Sequence, residues 1–174
     1  MKTRPESDLE ALRQDLHQLY DGSPWHGSSI KTVLDEIDAD TAALRPLPPA
    51  HTIWELVLHM TSWTREVTSR VGGADAKDPV DWPEPNFAGA AAAWEAAKRD
   101  LATAHAELEQ QVARIQPNDL LRWIGDQRDP KLGTGLPVGT VIRGLLQHDA
   151  YHQGQIMILV RAAESARMTS HKRT

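Results

Sequence analysis

The chain has 174 residues, enough for one domain with a buried core, and its 24 acidic against 19 basic side chains leave a formal charge of −5. That balance argues against a protein that tracks nucleic-acid phosphates, which needs a basic stripe; the tip His171-Lys172-Arg173 reads as a frayed terminus. The absence of cysteine excludes disulfides, thiolate metal sites and a cysteine nucleophile, so a transition-metal site has only His, Asp and Glu to draw on.

The opening stretch MKTRPESDLEALRQDL lacks the apolar core of a secretory signal, and nowhere do about eighteen apolar residues run together as a membrane span requires. The expected location is the cytoplasm, with neither membrane nor nucleic acid as a partner. Alanine is abundant, β-branched residues are sparse and helical spacing dominates, so the fold class is all-α. Residues 6–20 predict a first, short helix with Leu9, Leu12, Leu16 and Leu19 on one side. The stretch DGSPWHGSS ends it at Gly22, Pro24 and Gly27. Ser28 or Ser29 then caps a helix carrying Ile30, Val33, Leu34 and Ile37, and Pro46, Pro48 and Pro49 stop it.

A helix from about His51 to Val71 follows, with Ile53, Leu56, Val57, Met60, Trp63 and Val67 as its apolar stripe and Gly72 and Gly73 past its end. Residues 74–85 form a proline-punctuated loop holding Trp82. Asn86 is placed to cap an alanine-rich helix that runs to about Ile115 and is stopped by Pro117. Residues 117–136 are a second long loop, and the last helix begins near Pro137 and runs to about Ala163. The sum is a single domain over residues 1–174: a four-helix bundle with an extra short N-terminal helix packed on one end. Its connections of about a dozen residues are longer than hairpins need, and such loops often cover a pocket.

The last helix contains LLQHDAYHQGQI, which sets two histidines in an apolar stripe. At about 100° per residue, Leu145, His152, Ile156 and Leu159 project within roughly 40° of one another. His148 lies about 40° to one side and one turn earlier, so the two rings can converge, and Gln155 points close to the direction of His148. On the helix over 51–71, His59 falls between Leu56 and Trp63 at the edge of the apolar face. Three neutral imidazoles from two helices match a zinc-type site with three protein ligands and a position left open; nitrogen-only ligation suits Zn, Ni, Cu or Fe rather than Mg or Ca. Eight histidines make an i,i+4 pair common by chance, so spacing alone carries little. Burial carries more, because unpaired imidazoles in a core are costly. Core histidines with hydrogen-bonded partners stay open as the plainer reading.

HDAYH aligns with the H-E-x-x-H zinc-protease helix, with Asp149 at the general-base position but one methylene short. A carboxylate at the surface, or one that orients an imidazole through its outer N–H, suits it better than the base role. Glu55, one turn before His59, is a candidate base, an extra ligand or a partner of that ring, while solvent or a helix-end arginine is the plainer neighbour. His51 reads as a cap or surface residue, and His17 and His105 as solvated helix-surface residues. Trp54, Trp63, Trp94 and Trp123 read as core. Trp25 and Trp82, in loops, suit a pocket wall or a subunit contact, and His26 a pocket mouth. The run AGAAAAWEAAKRDLATAHAEL permits close helix approach, within the chain or in a dimer.

Four stretches together, SPWHGSSIKTVLDEI, AHTIWELVLHMTSW, DWPEP and GTVIRGLLQHDAYHQGQIMIL, resemble the DinB-like (YfiT-like) superfamily of metal-binding four-helix-bundle proteins, in order and over nearly the whole chain. The resemblance implies an up-down-down-up bundle, a homodimer, and one Zn or Ni ion per chain on His59, His148 and His152. It also implies that the ion activates a water or a low-molecular-weight thiol, as in the thiol S-transferases, the mycothiol-dependent isomerase and the presumed hydrolases of that superfamily. Arg143, one turn before the ligand pair, is then a candidate for holding an anionic thiol or substrate. Trp25, His26 and Gln155 join it as pocket candidates, with Glu55 and Asp149 the first bases to test. The alternative is a non-catalytic, stress-related metal-binding dimer in which the ion is structural.

Overall fold

The computed structural model describes residues 3–171, and Lys172 and Arg173 of the basic tip lie outside the described residues. The helices are α1 (Arg4–Asp21), α2 (Ile30–Asp35), α3 (Ala39–Ala43), α4 (Ile53–Val71), α5 (Ala90–Arg114) and α6 (Val138–His171). A 3₁₀ turn spans Pro117–Leu121. Among the described residues the strands are two-residue pieces, β1 (Trp123–Ile124) and β2 (Leu136–Pro137), paired antiparallel. This is the all-α bundle that the periodicity predicts, with α1, at 18 residues, one of its four long helices rather than a short addition at one end. No helix among the described residues is long and apolar enough to cross a membrane.

The long helices α1, α4, α5 and α6 enclose the core, with α4 packed against both α5 and α6, and α1 against the same two. Leu9, Leu12, Leu16 and Leu19 of α1 are all buried. Fully burying a side chain of this kind contributes about 1.5–3 kcal/mol. Arg13 on the outer side of α1 donates to the carbonyls of Val112, Ala113 and Ile115, the unpaired acceptors at the end of α5. Trp54 and Trp94 fill the other end of the core beside Leu56, Met60 and Leu101.

Helix ends explain where the chain departs from the periodic reading. Ile30 to Ile37 keep a helical pattern, yet the chain breaks after Asp35 into α2 and α3. Trp94 Nε1 donates to the Ile37 carbonyl at 2.7 Å, and the Asp38 side chain caps α3 by accepting from Thr41 N at 2.7 Å. α4 opens with a capping box: Thr52 Oγ1 accepts from Glu55 N and the Glu55 carboxylate accepts from Thr52 N. It closes with Gly73 at φ +96°, where Gly73 N and Ala74 N return to the carbonyls of Arg70 and Ser69.

Three further expectations are corrected. Asn86 caps only Ala88 N; α5 starts after Gly89, whose φ of +64° turns the chain into the helix. α6 runs past Ala163 to His171. Trp123 is not core: it is 64% exposed, because strand neighbours face opposite sides and Ile124 takes the inward one.

The two long loops are pinned by one buried ion pair. Arg70 Nε donates to Glu66 Oε1 at 2.8 Å, and its guanidinium also reaches the carbonyls of Leu132 and Lys77. Glu66 Oε1 accepts from Lys77 N as well. Loop 74–85 is thereby held against α4, which sets up the site.

Candidate metal centre

α4 presents His59, and α6 presents His148 and His152 one turn apart. His148 Nε2 lies 2.9 Å from His59 Nε2 and 3.0 Å from His152 Nε2. Among the described residues, these three form the group of ligand-type side chains able to hold a metal ion.

Each outer nitrogen has its own partner. His59 Nδ1 donates to the Asp81 carbonyl at 2.6 Å, His148 Nδ1 to Asp149 Oδ1 at 3.0 Å, and His152 Nδ1 to Gln155 Oε1 at 2.6 Å. All three partners are acceptors, so the proton of each neutral ring sits on Nδ1 and all three Nε2 atoms present lone pairs. Three lone pairs, two of them about 3 Å from the third and all within 4.8 Å, repel one another unless a cation lies among them. Tetrahedral Zn–N bonds of about 2.0–2.1 Å set ligand nitrogens roughly 3.3 Å apart, close to this spacing. The residues therefore fit a divalent ion.

Electrostatics agree. Burial, with the neighbouring His148 and His59 rings adding to it, pushes His152 down to about 4, against the hydrogen bond it donates to Gln155. Burial also lowers His59. Both stay neutral at pH 7, the form that binds metal.

The triad forms part of the wall of a cavity of about 620 Å³. Trp82 stacks on His59 with ring centroids 4.0 Å apart, and His51 stacks on Trp82 at 3.6 Å. Leu47, Leu56, Trp63, Tyr151 and Ile158 supply more apolar wall, and among the described residues no Lys or Arg lines this cavity. Asp81 does line it; its Oδ1 accepts from Trp63 Nε1 at 2.7 Å and lies 3.3 Å from His59 Nδ1. A second cavity, of about 670 Å³, shares Trp63 and His148 with the first and carries Lys131 and Arg143.

The remaining candidates fall into different surroundings. Gln155 is at the centre, and its Nε2 donates to the Tyr151 hydroxyl at 3.0 Å. Asp149 is 1% exposed and holds the His148 ring, rather than lying at the surface. Glu55 is engaged by Arg45 at 2.8 Å through both oxygens and by Thr52 N, and it does not line the cavity. Trp25 and His26 do not reach the triad: they line a groove with Arg143 on the α1 side of α6, and Trp25 is fully exposed there. Arg143 meets the site only through the second cavity. His17 is exposed as expected, but His105 is buried at 2% exposure, a correction to the solvated reading. Its spacing with Leu101, Leu108 and Val112 was the available signal, since all of these lie on the buried side of α5.

Sequence reading also missed Asp81, His51 and Tyr151 as parts of the site. Asp81 and His51 lie outside helices, where no period points to them. Tyr151, between His148 and His152 on α6, is 63% exposed and reads as a surface residue, yet it forms part of the cavity rim.

Residues 25–156 match the family model of the DinB superfamily, a stretch that contains all three histidines, Asp81 and Asp149. Among curated proteins and solved structures, nothing matches the chain.

Proposed function

The chain belongs to the DinB superfamily, and from that membership and the histidine centre we propose a metal-dependent enzyme that transfers a small anionic thiol to an apolar, uncharged electrophile. The observation that carries this reading is the convergence of three Nε2 lone pairs on an open cavity. Three ligands leave room for a reactant, whereas structural zinc takes four protein ligands. A Zn or Ni ion held by His59, His148 and His152 would supply Lewis acidity and so make thiolate or hydroxide available near neutral pH.

The walls favour two different reactants. Trp82, Trp63, Leu56 and Ile158 suit an apolar molecule, and the lack of a cation there disfavours an anion. Lys131 and Arg143 in the second cavity suit the anion, and the two cavities meet at Trp63 and His148. In the transfer, the sulfur–carbon bond forms, the bond from carbon to its leaving group breaks, and the thiol proton passes to solvent.

Thiol transfer is favoured over hydrolysis because both candidate bases are occupied, Glu55 by Arg45 and Thr52, Asp149 by His148. A hydrolytic reading would turn instead to Asp81, the carboxylate that lines the cavity.

The test is loss of small anionic thiols in the presence of an aryl halide, using protein loaded with Zn²⁺ or Ni²⁺, protein stripped with EDTA, and His152→Ala. Metal-dependent thiol consumption absent from His152→Ala supports the proposal. Ester hydrolysis without thiol consumption would shift it to the hydrolytic reading and to Asp81. A metal-loaded protein that does neither, and loses only thermal stability on stripping, would replace it with the non-catalytic dimer in which the ion is structural.

A further inference from the structure

His105 is a buried titratable side chain that the site so far described does not use. It sits on α5, with its ring stacked on Tyr20 of α1 at 4.2 Å between centroids. Its Nε2 lies 3.4 Å from Asp149 Oδ2 on α6, an ion-pair contact short of a hydrogen bond, and neither atom has a hydrogen-bond partner among the described residues. The other carboxylate oxygen, Asp149 Oδ1, accepts the Nδ1 proton of His148. Asp149 thus bridges a ring that borders the cavity and a ring sealed in the core.

A carboxylate removed from water needs a partner for each oxygen. His148 serves one oxygen; the second, which has no hydrogen-bond partner among the described residues, faces His105 Nε2 at 3.4 Å. An apolar residue at 105 would remove that contact from Oδ2, and the carboxylate would turn to find another. That turn alters the acceptor offered to His148, and with it the ring's tautomer and aim.

We propose that His105 is a positioning residue of the metal centre. It holds Asp149 by Oδ2 so that Oδ1 fixes the His148 ring with its Nε2 lone pair toward His59 and His152. α5 contributes no ligand, yet through this contact it sets how well the other two helices bind the ion.

The experiment is Zn²⁺ affinity at pH 7.5, measured by competition with a chromophoric chelator on the folded full chain. His105→Leu is expected to weaken binding about tenfold, the low end for a group that orients a ligand. His105→Gln, which keeps an N–H at the Nε2 position, should stay within about threefold of the parent. Tyr20→Leu removes the stacking alone and should lower thermal stability with affinity unchanged. In an Asp149→Asn background the effect of His105→Leu should vanish, because it acts through that carboxylate. The proposal is overturned if His105→Leu weakens binding no more than Tyr20→Leu does, or by the same factor in the Asp149→Asn background. A parent that takes up no Zn²⁺ overturns it together with the site, whereas tight binding without turnover overturns only the proposed reaction.

Discussion

The backbone carbonyl of Asp81 accepts a hydrogen bond at 2.6 Å from Nδ1 of His59, which lies 22 positions earlier in the chain. Loop 74–85 is therefore part of the centre: it fixes the tautomer of one proposed ligand and lays Trp82 on the face of the same ring. Backbone acceptors of this kind orient a metal-binding imidazole as a carboxylate would.

Truncating the loop's contact should loosen that ligand. Trp82→Ala removes the stack on His59 and part of the cavity wall, and Zn²⁺ affinity should fall about tenfold. Competition titration measures this; unchanged affinity would show that the Asp81 carbonyl alone orients the ring.

Gln155 acts on His152 as Asp81 does on His59. Gln155→Leu removes the acceptor of the Nδ1 proton and should weaken Zn²⁺ binding about tenfold with little change in melting temperature. Gln155→Glu replaces the amide oxygen by a charged acceptor and should bind at least as tightly as the parent. Equal affinities for the parent and the Leu variant would remove Gln155 from the centre.

The Arg70–Glu66 pair anchors both long loops from inside the protein. Arg70→Met leaves Glu66 buried without its cation and should cost about 3–5 kcal/mol in urea unfolding. Arg70→Met combined with Glu66→Gln should recover part of that loss, because the uncompensated charge is gone. A double variant no more stable than Arg70→Met alone would show that the contacts to Leu132 and Lys77 matter more than the charge.

Metal-free protein should lose stability as pH falls from about 6.5 toward 4. Burial lowers His59, His105 and His152 below their ordinary value of 6.5, His152 to about 4. In this window the unfolded chain binds protons that the folded chain refuses, so acid favours unfolding and the contribution disappears above about 6.5. Urea midpoints of EDTA-treated protein at steps from pH 4 to 8 measure the slope. His152→Phe, which cannot titrate, should flatten it; an unchanged slope would assign the acid sensitivity to other groups.

A sequence signal reaches only as far as the interaction that produces it. His59, His148 and His152 were readable together because a 3.6-residue period is local and places each ring on a helix face. The same period concealed the break between α2 and α3, since Ile37 keeps the pattern while Trp94 takes its carbonyl from 57 residues away. Asp81 and His51 reach the site through loop geometry that no spacing encodes. His105 was misread because alanines surround it in sequence, although Leu101, Leu108 and Val112 mark its face as inward. Arg143 lies one turn from His148 on the helix, yet opens onto the neighbouring cavity and the α1 groove rather than onto the apolar one.

His59, His148 and His152 are proposed to hold one divalent ion between them. The most direct test is elemental analysis of protein purified without a histidine tag, for the parent, His59→Ala and His152→Ala. The expected result is about one Zn or Ni per parent chain and near-complete loss in both variants, with each variant still helical by circular dichroism. A parent that carries no metal and takes up neither added Zn²⁺ nor Ni²⁺ would contradict it, and the three rings would then be core histidines.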